Sequence, residues 1–420
     1  MPRGNSRHSV FFTPHPFYCA SGSGCRIVDA DGREFLDFLN NFSSMIHGHG
    51  HPEVLTALHA QAARLIAVGL PTEAEIELAE LLCERVRSVE QIRFMNSGTE
   101  AVMMAVKAAR AFTQRPLIAK FEGCYHGTYD AVEVSQAPAP SAWGPADRPF
   151  SVGLSRGTPQ SVVDGTLVLP FNDEQAIASA LEQHRESLAA IIVDPSPAHL
   201  GYLQMTPSVL RLLRSFCDSC GTVLILDEVY SLRLDYHGAQ HRFGVRPDLT
   251  VMGKIIGGGL PIGAVGGSRK IMEVFDPLPS GPAVVHGGTY NANPLSMATG
   301  LASMRALTHR KLDDLDRLGA RLREGLTDVA RSRSAEVVVE GLSSLASITF
   351  GRSPVENYRD RVALTGHPAK IAAFHRGMLE QGILLAPQGL IVLSTAMGVA
   401  EVDAFIRAAD VVLRGMAKVA

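Results

Sequence analysis

With 420 residues, 46% of them hydrophobic, and a formal net charge of −3, the chain can bury a large core in more than one domain and lacks the basic excess that a nucleic-acid or anionic-membrane partner favours. No apolar run approaches the ~20 residues of a membrane span, and MPRGNSRHSVFF has too short an apolar segment for a signal peptide, so a cytoplasmic location is expected. Six cysteines, Cys19, Cys25, Cys83, Cys124, Cys217 and Cys220, are too few for a disulfide framework at this length and suit a reducing compartment.

Residues Met1 to Gly24 read as an irregular arm carrying Asn5-Ser6-Arg7 and an aromatic patch, Phe11, Phe12, Phe17 and Tyr18. Cys25 to Val28 and Glu34 to Phe38 flank Asp29-Ala30-Asp31-Gly32, whose turn chemistry predicts a hairpin. Three alternating histidines, His47, His49 and His51, could bind a metal. Two glycines and Pro52 break any regular strand there, however, and no acidic or cysteine ligand is near in sequence, so no metal is expected. Pro52 suits the first turn of a helix to about Val68, and Thr72 with Glu75 has the capping-box pattern for another to about Val86.

Residues 136–160 are rich in proline, glycine, serine and alanine and hold the only tryptophan, Trp143. A loop this long is either functional or disordered; we read it as a lid over an active site. Strands at Thr166 to Leu169, Ala189 to Val193, Val223 to Leu226 and Leu249 to Met252 alternate with helices starting near Asp173 and Pro207, which implies an α/β chain with a largely parallel sheet covered on both faces. Cys217-Asp218-Ser219-Cys220, near a helix end, lacks the second pair or thioredoxin-like context of a metal or redox site. Past Pro294 come helices at Leu295 to Leu307 and Lys311 to Arg331, short strands around Leu345 to Phe350 and Ile391 to Ser394, and helices from about Ala369 to Gln381 and Ala400 to Met416, a smaller α+β domain.

The chemistry centres on Leu249 to Pro261, a buried strand that ends on Lys254 and a glycine-rich turn. Alone, this is a surface lysine at a strand end. A desolvated amine, though, loses its proton easily and can form a Schiff base with an aldehyde. Upstream, Thr222 to Val229 is a second apolar strand ending in Asp227, a carboxylate that burial makes costly unless it meets a cation or several donors. In Asn96-Ser97-Gly98-Thr99-Glu100-Ala101 a strand runs into a capping-box pattern that opens the helix Ala101 to Phe112. Taken singly it is an ordinary helix cap, but its free backbone N–H groups and hydroxyls also suit a phosphate. An aldehyde, a protonated ring nitrogen and a phosphate together describe pyridoxal phosphate.

Asn96 to Ala101, Phe121 to Gly127, Leu226 to Val229, Gly253 to Gly263 and Gly288 to Leu295 resemble the class III pyridoxal-phosphate aminotransferases, especially glutamate-1-semialdehyde 2,1-aminomutases and related β-amino-acid aminotransferases, over nearly the whole chain. The resemblance implies fold type I: a large mixed, mostly parallel sheet domain at 46–300 and a small α+β domain at 301–420 joined by the arm and hairpin of 1–45. Lys254 would carry pyridoxal 5'-phosphate and Asp227 would hold its ring nitrogen protonated. Ser97, Gly98, Thr99 and His126 would belong to the cofactor site, with Tyr125 and Val229 on the two ring faces. Thr289 would reach the phosphate of a neighbouring subunit, making a homodimer with shared active sites. Arg7 matches an arginine that grips a carboxylate in the β-amino-acid relatives, or else belongs to a solvated basic arm. Gln388 stands where those relatives carry an arginine, which disfavours dicarboxylate acceptors. Asp194-Pro195 replaces the usual Glu-Pro, and Tyr230 to Arg233 replace the usual residues after Asp-Glu-Val.

Three readings follow. The first is an aminotransferase moving an amino group between a carboxylated amine, β- and other non-standard amino acids included, and a keto acid or aldehyde. The second is an aminomutase returning the nitrogen to the same skeleton, to which Phe374 to Gly382 is very similar. The third, a non-catalytic cofactor-binding module, is disfavoured because Lys254 and Asp227 are both present.

Overall fold

The computed structural model describes residues 1–12, 15–351, 355–364 and 368–416, and the chain divides into two compact units. One comprises Thr56–Thr308 with Glu356–Arg359; the other comprises Met1–Leu55, His309–Val355 and Asp360–Ala420. A four-residue return from late in the chain thus belongs to the larger unit.

The larger unit is built on a seven-stranded sheet in the order Gln91–Met95, Gly263–Gly267, Leu249–Gly253, Val223–Asp227, Leu188–Val193, Leu117–Phe121 and Thr166–Leu169. The last five run parallel, and Gly263–Gly267 is antiparallel to both its neighbours. Every residue of the Leu188, Val223 and Leu249 strands is buried, as parallel strands covered on both faces require. The Gly263–Gly267 strand was not expected from sequence: Gly-Ala-Val-Gly-Gly offers two apolar residues and low β propensity. Glycine is needed there by packing, because a Cβ on Gly263 would lie 2.0 Å from the Ser97 carbonyl oxygen. The sheet strand thus passes directly beneath the start of the Gly98–Thr113 helix, which buries Ala101, Val102, Ala105, Ala108 and Ala109 at helical spacing.

Helix ends follow local chemistry unevenly. Ser97 caps the Gly98 helix by accepting from the Glu100 amide, and Glu100 reaches back to the Asn96 amide, one residue earlier than in a standard capping box. The Glu73–Arg85 helix has the same sequence signature at Thr72, yet the Thr72 hydroxyl makes no cap bond.

Residues 136–160 are pinned at several points. Arg359 donates to Glu122 at 3.0 and 3.1 Å and to the carbonyls of Trp143, Gly144 and Pro145 at 2.9, 2.8 and 2.9 Å, while its guanidinium covers the Trp143 ring. Beside it, the Tyr358 hydroxyl donates to the Pro138 carbonyl. The expected lid is thereby fastened at 138–145 to the Glu122 turn.

The smaller unit carries a four-stranded sheet, Cys19–Ser23, Arg26–Asp29, Glu34–Asp37 and Ile383–Leu384, and an antiparallel three-stranded one, Val337–Leu342, Leu345–Phe350 and Leu390–Val392. The predicted hairpin forms, and Cys19–Ser23, read from sequence as irregular, adds a third strand although all its residues are exposed. The His309–Ser332 helix turns Leu312, Leu315, Leu322 and Leu326 inward, and two bidentate pairs tie it and the turn after it to Val399–Met416, Arg321 with Asp403 and Arg333, just past the helix end, with Asp410. His47 bonds Thr395 and His49 bonds Asp37, so these histidines tie elements together; no metal-holding cluster occurs among the described residues.

Removing the guanidinium in Arg359→Met leaves the buried Glu122 carboxylate without its cation. We expect a loss of about 3 kcal/mol, partly recovered in the Arg359→Met, Glu122→Gln double variant. Simple additivity in a denaturant-unfolding cycle would contradict the clamp. In the smaller unit, burial pushes His375 down from 6.5 to about 4, and its Nε2 has no partner. The unfolded chain therefore binds this proton more readily, and stability should fall as pH drops from about 6.5 to about 4, by up to ~3 kcal/mol. A His375→Leu variant whose acid sensitivity in that window equals that of the parent would count against this.

Candidate active site

Four neighbouring parallel strands deliver one polar group each from their carboxyl ends. His126 follows Leu117–Phe121, Asp194 follows Leu188–Val193, Asp227 ends Val223–Asp227, and Lys254 follows Leu249–Gly253. Open α/β sheets bind ligands at this edge.

Lys254 leaves its strand with φ of 49°, a left-handed conformation that costs a side-chain-bearing residue about 1–3 kcal/mol and persists only where the surroundings over-determine it. A short 3-10 turn, Lys254–Gly257, follows. Burial lowers the pKa of the amine, against the opposing pull of Asp227 and then Asp194. Its Nζ lies 4.7 Å from the centre of the Tyr230 ring.

Asp227 is buried, and each carboxylate oxygen has one protein donor: the Val229 amide on Oδ1 at 3.0 Å and His126 Nδ1 on Oδ2 at 2.8 Å. Burial holds the pKa of His126 below its ordinary value, although the bond to Asp227 opposes this. A neutral imidazole facing a carboxylate, which only accepts, must carry its proton on Nδ1. His126 Nε2 is then a buried acceptor, and it has no partner. Asp194, two strands from Lys254, accepts from the Ser196 amide, and burial together with Asp227 raises its pKa well above the usual carboxylate range.

Next to Asp227, Val229 packs toward the start of the Gly98–Thr113 helix. A Cβ on Gly98 would come within 3.0 and 3.1 Å of the two Val229 methyls. The amides of Gly98 and Thr99 lie in the first helical turn, where no intrahelical acceptor exists, and the Ser97 and Thr99 hydroxyls flank them. The Thr99 hydroxyl also accepts from the Thr128 amide. Tyr125 is partly exposed and stacks on His199, with centroids 5.0 Å apart and planes within 17°.

The larger unit therefore brings together Ser97, Gly98, Thr99, Tyr125, His126, Asp227, Val229 and Lys254. Thr289 is exposed on the loop before the Pro294–Ala306 helix. Arg7 and Gln388 are exposed residues of the smaller unit, where Arg7 donates to Asn41 at 2.7 Å. Sequence reasoning missed His199 and Tyr202, which lie on a loop without a motif, and saw Tyr230 and Asp194 only as departures from a pattern. The Tyr202 hydroxyl donates to that of Tyr230 at 3.3 Å.

This donor set fits pyridoxal 5'-phosphate. First-turn amides and hydroxyls suit a phosphate, a buried carboxylate suits a ring cation, an amine whose pKa burial lowers suits an aldehyde, and the glycine at Gly98 leaves room beside Val229.

The class-III aminotransferase family model matches residues 11–402. The glutamate-1-semialdehyde 2,1-aminomutase of Methanothermobacter thermautotrophicus is 39% identical over 99% of this chain and 96% of its own length. Among solved structures, an omega-transaminase from Sphaerobacter thermophilus is 49% identical with a TM-score of 0.96, covering 99% of this chain and 94% of the other. A β-phenylalanine aminotransferase from Variovorax paradoxus is 33% identical with a TM-score of 0.88, covering 99% and 91%. These likenesses bear out the fold type I expectation. The chain belongs to the class-III aminotransferases, enzymes that work with pyridoxal 5'-phosphate.

Proposed function

We propose that this chain is an aminotransferase that moves an amino group between a carboxylated amine, a β-amino acid in the first instance, and a keto acid or aldehyde. The observation that carries this is the placing of Lys254 and Asp227 at the ends of two adjacent buried strands, the amine lowered by burial and the carboxylate fixed by His126 and the Val229 amide. The omega-transaminase at 49% identity and the β-phenylalanine aminotransferase support the transfer reading and the β-amino class.

Bound here, pyridoxal 5'-phosphate supplies an aldehyde that captures amines and a ring that withdraws electrons from the bond to be broken. Lys254 would hold it through Nζ, and the same amine would take up and return the substrate proton. Asp227, whose carboxylate His126 Nδ1 orients, would keep the ring nitrogen protonated. Ser97, Gly98 and Thr99 would hold the phosphate, and Tyr125 and Val229 would contact the ring. Arg7 would bind the substrate carboxylate and Gln388 would line the acceptor side.

A homodimer with Thr289 entering the partner's phosphate site is part of this reading. Exposed Ile66, Leu70, Ile76, Val285 and Tyr290 support it, and the bond from Asn293 to the Ile66 carbonyl ties their two segments together. No helix among the described residues is long and apolar enough to cross a membrane, and we assign the enzyme to the cytoplasm. The second reading, an aminomutase, draws on the glutamate-1-semialdehyde relatives. The two differ when the pyridoxal form meets excess amine without acceptor: a transaminase releases stoichiometric carbonyl product and stops in the pyridoxamine form. An aminomutase, started from the pyridoxamine form, turns over without releasing a carbonyl.

Borohydride reduction of the loaded enzyme should fix the cofactor on the peptide carrying Lys254, and Lys254→Ala should lose that label and ~10²–10⁴-fold or more of turnover. A label found on another lysine would overturn the assignment. For His126, nitrogen NMR above neutral pH should show the Nδ1–H tautomer, with a titration midpoint below the ordinary imidazole value because burial disfavours the charged ring. An Nε2–H tautomer, or a midpoint above that ordinary value, would refute the tautomer argument.

A further inference from the structure

Tyr230 stands directly after Val229, where the chain leaves the family pattern, and its ring faces the reactive amine at 4.7 Å from centroid to Nζ. That is within the ~6 Å at which a ring face attracts a cation. The ring cannot drift easily. Its hydroxyl accepts from the buried Tyr202 at 3.3 Å, and its backbone belongs to the turn that fixes Asp227, through the Val229 amide on Asp227 Oδ1 and the Ser231 hydroxyl on the Asp227 carbonyl.

We propose that Tyr230 is a positioning residue for Lys254, holding the detached, protonated amine over its ring face between proton transfers. This rests on the reading of Lys254 as the cofactor lysine. A lysine released from a covalent link has a flexible four-carbon stem and strong hydrogen-bond donors. Left to Asp227 and Asp194, the ammonium would be drawn into a directional ion pair with a carboxylate. A ring face attracts the charge without accepting a directional bond, so the amine stays close and can turn to the substrate.

Asp227 acts on Lys254 from the adjacent strand and Asp194 from the strand beyond it, and Tyr202, Arg233 and Asp194 act on the Tyr230 hydroxyl. Glu228 is turned away, accepting from the Ala239 amide and from Gln240. Burial of the amine opposes the carboxylates and the ring, so deleting the ring should make Lys254 easier to deprotonate.

The experiment uses enzyme loaded with pyridoxamine phosphate, in which the lysine amine is free. Competitive acetylation across pH, read by mass spectrometry on the Lys254 peptide, gives the pKa of that amine directly. We expect Tyr230→Leu to lower it by roughly 0.5–1 unit and Tyr230→Phe, which keeps the ring face, to hold the parent value. Tyr230→Met preserves bulk without the ring and should behave as Leu does, which covers the case in which the leucine variant misfolds. Parent-like values in both ring-less variants, or a Phe variant shifted as far as Leu, would overturn the proposal. Failure of borohydride to label Lys254 in the parent enzyme would instead sink the underlying reading, so the two failures are separable.

Discussion

The structure depends on satisfying a carboxylate inside a sheet of apolar strands. Asp227 ends a strand in which every residue is buried, and a polar group left there without partners is costly. Its two oxygens each take a donor, the Val229 amide and His126, and Lys254 stands at the end of the adjacent strand. On the next strand Asp194 accepts from the Ser196 amide, and burial first, then the nearby Asp227, push its pKa well above the usual carboxylate range.

The second constraint is steric and lies in the backbone. Lys254 adopts a left-handed φ, and the glycine strand paired to its own strand runs beneath Ser97 with no room for a side chain. Strand, lysine turn and helix start are thereby one packed unit. Val229 locks it further, since its methyls lie against both Gly98 and Gly253 positions. The strain at Lys254 is held by this packing, and its Nζ lies over the Tyr230 ring.

Much of this was legible in the residues. Apolar runs with punctuating glycines located Thr166–Leu169 and Leu345–Phe350 at their observed bounds, because buried strands have no polar face to confuse the pattern. Gly263–Gly267 was missed because what makes it a strand is the close approach of the neighbouring backbone, invisible to propensity. At Thr72 a capping signature goes unused, and its hydroxyl makes no bond. At the site, residues inside motifs were readable one by one, whereas Tyr202 and His199 acquire meaning only when the fold carries their loop to the strand ends.

Arg359 shows most clearly why some positions cannot be read from sequence. It belongs to a four-residue segment far along the chain whose flanks lie in the smaller unit, yet its guanidinium satisfies Glu122 and three loop carbonyls of the larger one. Glu122 is followed by Gly123, whose φ of 78° and whose contact with the Tyr358 ring admit no side chain, and then by Cys124, Tyr125 and His126. The turn that aims His126 at Asp227 is thus held on its outer side by an ion pair formed across more than half the chain. The cost of bringing such distant segments together grows only logarithmically with their separation, and the charge-assisted bonds of one guanidinium to several acceptors help to hold them. The orientation of the site histidine, and with it the bond to Asp227, therefore rests in part on a residue that no local pattern would single out.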